Sequence, residues 1–197
     1  MAVSGSTITA DIKSSTGFDF AIPGAPENND WVGEVGSKFQ TMWNEGQLNQ
    51  AIGAPSTNPS PPPTLLPWPH THGNGIQSMT IPTGSVGSQL AKDVYDAAMT
   101  AVKFMIAAMV NFSTGAGADG TLTHSDHVPI NFVSAADLKA EINVQVDGIS
   151  GIDRASSPDL QTLLDAIADD IVAHVSTSYQ VATSIDSGDG THVHNLS

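Results

Sequence analysis

The chain has 197 residues, with 6 Lys+Arg against 20 Asp+Glu, a formal net charge of −14 and no cysteine. So few cations cannot release phosphate counterions, which argues against a nucleic-acid grip, and the same sign argues against docking on anionic lipid. The absence of cysteine removes disulfide scaffolds, thiolate zinc sites and cysteine nucleophiles together. Charged residues make up 13% of the chain, about half the share in an ordinary soluble domain, while 40% is hydrophobic, enough for a core. The N-terminal stretch carries no cationic start and no apolar run, so no secretory leader is expected. The longest apolar stretch, 97–112, is short and contains Lys103, as a buried helix would.

Residues 1–29 read as an extended arm. The alternation through Ser6, Thr7, Ile8, Thr9, Ala10, Asp11 and Ile12 predicts a strand, and Pro23 and Pro26 close the segment. A helix follows from Asp30, where Trp31, Val35, Phe39, Met42 and Trp43 recur at spacings of four and three. Gly33, Gly36 and Gly46 weaken it by up to ~1 kcal/mol each, so it needs a partner surface.

Ala54 to Pro63 holds too much proline for a helix or central strand and predicts a polyproline II spacer. Leu65, Leu66 and Trp68 come next, an extended apolar segment suited to lying along another surface. Ser85 or Ser88 then opens a helix to about Phe112. Its stripe of Leu90, Val94, Ala97, Ala101, Met105 and Ala108 suits close helix approach.

Thr121 to Val133 predicts loop and short strand. Ser134 with Asp137 resembles a capping box and opens a short helix, although Val144 and Val146 alternate as in a strand. The final helix has the strongest start signal, Ser157 as N-cap with Pro158 and Asp159 behind it. Its seam, Leu160, Leu164, Ile167, Ile171 and His174, steps by four and three. Together these elements predict an α+β fold: a small helical core of two to four helices, short strands and long extended arms. The predicted organisation is an arm and amphipathic helix over 1–53, a Pro-rich linker over 54–84 and a helical core with a C-terminal tail over 85–197.

Six of the seven histidines fall in close pairs: His70 with His72, His124 with His127, and His192 with His194. In extended chain, residues i and i+2 share a face, so each His-X-His can present two imidazoles together. Two nitrogens hold a divalent ion weakly; a threefold axis makes six, which suits an octahedral first-row ion, and two pairs in one chain make four. Both His-X-His pairs lie beside glycines, where backbones can crowd an axis. The six histidines are therefore candidate ligands for an iron-like ion or zinc. His174, on the helix seam, is read as a structural helix residue.

The segments Pro69-His70-Thr71-His72-Gly73-Asn74-Gly75 and Gly190-Thr191-His192-Val193-His194 resemble the His-X-His segments of tail spikes and short tail fibres of tailed bacteriophages. In those proteins, trimers bind an iron-like ion on the axis. The glycine-punctuated β-repeats of a spike shaft are missing, so the resemblance implies a particle subunit rather than a needle. The implied protein is a non-enzymatic structural component of the virion (neck, baseplate, tail or decoration). It would be a trimer or higher homo-oligomer, partnered by other virion proteins.

Two other classes compete. A metal-dependent hydrolase is suggested by His124-Ser125-Asp126-His127, half of the His-X-His-X-Asp-His motif of metallo-β-lactamase-like enzymes. His70-Thr71-His72 runs on into Gly73-Asn74, so no segment completes that motif, and His-Glu-X-X-His is absent. No Gly-X-Ser-X-Gly, phosphate loop or dinucleotide fingerprint occurs. The turn Asp186 to Gly190 and the loop Gly117 to Asp126 offer oxygens for calcium without EF-hand spacing. A receptor- or carbohydrate-binding tip would expose aromatic rings, for which Trp31, Trp43 and Trp68 are the candidates.

Overall fold

The computed structural model describes residues 3–18, 26–48, 51–52, 71–72, 76–108, 112–114, 123–124, 127–129, 133–178, 184–185 and 194–195. Five helices build it: α1 (Gly5–Thr16), α2 (Pro26–Glu45), α3 (Gln89–Ala108), α4 (Ala135–Asp147) and α5 (Pro158–Ser178). The α+β expectation is therefore corrected. The described structure is mostly helical, with five helices rather than two to four. Extended backbone pairs only over two or three residues at a time and forms no sheet layer in that core.

The largest correction lies at the N-terminus, where α1 replaces the predicted strand and extended arm. Ser4 is extended (φ −117°, ψ 113°) and its Oγ accepts from the Thr7 N–H at 3.4 Å, while Gly17 closes the helix in the left-handed region at φ 64°. The β-branched Thr and Ile suggested a strand, but Ile8 and Ile12 stand four apart. Both are fully buried while Ala10, which a strand would set on that same face, is exposed, as in a helix.

α2 begins at Pro26, one turn earlier than Asp30, with proline at the first helical position. Its predicted stripe, Trp31, Val35, Phe39, Met42 and Trp43, is the core, and Val32 is buried beside it. In α3, Ser88 is the cap, its Oγ accepting from the Ala91 N–H at 3.3 Å. The stripe, however, is rotated from the predicted one. Val94, Tyr95, Ala98, Met99, Ala101, Val102 and Ile106 are inside, and Leu90 is 40% exposed. Large apolar residues on both sides of this helix, with Phe104 63% exposed, offered two faces, and the neighbours chose between them.

α4 resolves the ambiguity at Val144 and Val146. Ser134 Oγ accepts from the Asp137 N–H at 3.1 Å, and Leu138, Ile142 and Val146 are buried at helical spacing while Val144 is 65% exposed. α5 starts at Pro158 as predicted and buries Leu164, Ile167, Ile171 and Val175. The connection between them is pinned by Arg154, whose Nε and Nη2 donate to both oxygens of Asp147 at 2.9 and 2.8 Å. That guanidinium holds the Asp147 carboxyl below its ordinary value.

α1 lies between α2 and α5, and α4 between α5 and α3. One hydrophobic cluster draws on all five helices, so the N-terminal pair shares the core of the C-terminal three. Where α1 crosses α2, Gly5 and Gly36 meet backbone to backbone. A Cβ on Gly36 would stand 2.2 Å from both the Gly5 carbonyl oxygen and Thr9 Oγ1. The predicted spacer Ala54–Pro63, the segment Leu65–Trp68 and the predicted turn Asp186–Gly190 lie outside the described residues, as does the predicted loop Gly117–Asp126 apart from Thr123–His124.

Candidate functional site

Of the six candidate ligands, His70 and His192 lie outside the described residues. For the other four the backbone alone is placed. The segments Thr71–His72 and His127–Pro129 both border Phe112–Thr114, with His72 opposite Phe112 and His127 opposite Thr114. His194 lies opposite Leu48, and His124 opposite Ser184. Among the described residues, no three His, Asp or Glu side chains come together to hold a metal ion.

The most developed polar arrangement is one the sequence reading missed, centred on Glu34. This carboxylate is only 6% exposed. It forms an ion pair with Lys38 one turn along α2 and accepts from the Ser85 N–H at 2.8 Å, the Ser85 hydroxyl and the Val86 N–H at 3.1 Å. Burial alone would raise its pKa, but the Lys38, Ser85 and Val86 contacts outweigh that, and the group is held below its ordinary value. Lys38 also donates to the Thr83 carbonyl and stands 5.4 Å from the centre of the Tyr95 ring.

α3 completes the arrangement from the other side. Asp96 Oδ1 accepts from the Gly84 N–H at 2.6 Å, and Tyr95 meets Trp31 edge-on with ring centres 6.0 Å apart. The Trp31 indole N–H donates to the Ala91 carbonyl at 3.0 Å, which spends its polar end on α3. Trp31 and Trp43 are thus core residues, not an aromatic binding surface. The Tyr95 hydroxyl is buried with no hydrogen-bond partner among the described residues. Burial, with the charges of Glu34 and Asp96 behind it, pushes its pKa upward. A signal for Glu34 was present, since position 34 falls three residues after Trp31, inside the apolar stripe.

Two contacts tie α1 to its neighbours. The Ser4 N–H donates to His174 Nε2 at 3.0 Å and the Gly5 N–H to Gln40 Oε1 at 2.9 Å. A backbone N–H can only donate, so the Nε2 of His174 accepts and is unprotonated. At the far end of α1, Ser15 Oγ lies 2.9 and 3.1 Å from the two oxygens of Asp170. Burial raises the Asp170 pKa, and the charges of Asp11 and Asp169 add to it. Chemically, this arrangement neutralises backbone donors and fixes chain segments. Its two serine hydroxyls are each held by a carboxylate, Ser85 by Glu34 and Ser15 by Asp170. No family model, curated protein or solved structure matches the chain.

Proposed function

We propose that this protein is a non-enzymatic structural subunit of a tailed-phage virion, oligomerising and joining neighbouring subunits. The observation that carries this reading is how the buried Glu34 and the half-buried Asp96 and His174 are used. Glu34, Asp96 and His174 are each committed to backbone N–H groups of Ser85, Val86, Gly84 and Ser4. Side chains spent in this way hold segments in place. The acid excess, the Pro-rich stretch and the His-X-His segments support the same reading from the sequence side. In the particle, His70, His72, His192 and His194 would meet around a symmetry axis and take an iron-like ion or zinc, with His124 and His127 as a further pair.

Native mass spectrometry combined with elemental analysis tests this. A trimer with one first-row metal ion per three chains, lost on joint His192→Ala and His194→Ala substitution, is the expected result. Metal-free oligomers would keep the assembly reading and remove the axial ion. A monomer that does not self-associate with or without divalent cations would overturn the proposal. A monomer with stoichiometric metal would instead favour the hydrolase.

A further inference from the structure

Residues 79–87 have neither helix nor ladder of their own, yet they lie on the core. Among the described residues, charged side chains of α2 and α3 hold this backbone. The Thr80 N–H donates to Glu45 Oε2 at 3.2 Å and the Thr83 carbonyl accepts from Lys38. Asp96 takes the Gly84 N–H, and Glu34 takes those of Ser85 and Val86. Apolar anchorage is slight: Met79 is buried, while Ile81 and Val86 are only partly so. Both ends turn through the left-handed region, Ser78 at φ 66° and Gly87 at φ 85°.

Such a segment combines few apolar contacts with backbone bonds that reach only to side chains, and segments of that kind open below the global free energy. We infer that residues 79–87 form a clasp that opens as one unit, hinged at Ser78 and Gly87, while the five helices stay folded. Three carboxylates share the load, so loss of one loosens the bonds made by the others. The clasp joins Gln77 to α3, and its nine residues once released would span about 30 Å of extended chain. Its use in meeting a neighbouring subunit rests on the assembly reading above; the opening itself does not.

Amide hydrogen exchange, read residue by residue on the full chain, tests this. In the wild type, the amides of Thr80, Gly84, Ser85 and Val86 should exchange with one common protection, at least about tenfold weaker than that of Ile171 in α5. Asp96→Asn touches only the Gly84 N–H directly, yet it should speed all four amides by a common factor. Gly36→Ala, placed at the α1–α2 crossing, should speed Ile171 and leave the four unchanged. If Asp96→Asn speeds Gly84 alone, the contacts are independent and the clasp is refuted. It is equally refuted if the four amides track Ile171 in the wild type or in Gly36→Ala. The wild-type comparison decides the matter even if a variant fails to fold. Exchange is read on the chain alone, so a failed clasp is distinguishable from a failed assembly reading.

Discussion

The Gly5–Gly36 crossing makes a quantitative demand on the sequence. Adding a methyl group at 36 places a carbon 2.2 Å from the Gly5 carbonyl oxygen and 3.1 Å from the Thr9 nitrogen. A backbone oxygen cannot rotate away, so α1 must lift by about 1 Å, and a gap of that size forfeits a quarter to a half of the contact energy across it. The side chains that α1 and its lead-in commit to the core are Val3, Ile8 and Ile12, all at most 1% exposed. At about 1.5–3 kcal/mol each, the fraction lost is roughly 1–4 kcal/mol. Alanine returns up to ~1 kcal/mol of helix propensity. The net expectation for Gly36→Ala is a loss of about 1–3 kcal/mol. Gly33, one turn earlier in α2, has nothing within 4 Å of the same added carbon. Gly33→Ala should therefore gain about 0.5–1 kcal/mol. Urea unfolding followed by circular dichroism reads both as opposite shifts of midpoint at constant slope. Equal midpoints for Gly36→Ala and wild type, or an equal loss from both substitutions, would refute the close crossing.

Three further outcomes are expected. Glu34 has a folded pKa below its ordinary value of 4.5, so its stabilisation is fully present above 4.5 and is lost as pH falls through the lower folded value. At neutral pH Glu34→Gln should cost about 2–3 kcal/mol by urea unfolding and should flatten the loss of stability below pH 4.5; an unchanged acid limb would refute the role. Nitrogen-15 spectra of His174 at neutral pH should show the proton on Nδ1, and His174→Ala should cost about 1 kcal/mol by leaving the Ser4 N–H unpaired; a proton on Nε2 would contradict the contact. Tyr95→Phe removes a buried hydroxyl that has no partner among the described residues, and should raise thermal stability by about 1 kcal/mol; a clear loss would mean that the hydroxyl is bonded.

Much of the helical layout was legible because local chemistry spelled it out. Ser134 with Asp137 and Ser157 with Pro158 announced helix starts, and both helices begin there. The Trp31–Trp43 stripe identified a core face because large apolar side chains at helical spacing have one place to go. α1 was misread because Thr and Ile carry β propensity, and the arrangement that overrides it, Ile8 and Ile12 against α2 and α5, is not local. The α3 face was misjudged because large apolar residues lie on more than one side: Tyr95, Met99, Val102 and Ile106 are buried, while Leu90 and Phe104 are exposed.

The candidate site divides in the same way. The sequence by itself determined the charge balance, the lack of thiol chemistry, the paired histidines and most of the helix starts, because each depends on composition or on neighbours a few residues apart. Only the tertiary structure decided that Glu34 would be buried and bound to Ser85 and Val86, that His174 would receive the Ser4 N–H, and that Gly5 would need Gly36. Those partners stand 31 to 170 residues apart, and no window on the sequence joins them. Packing does: a backbone donor entering the core must find an acceptor there, and two helices that cross this closely leave room only for hydrogen.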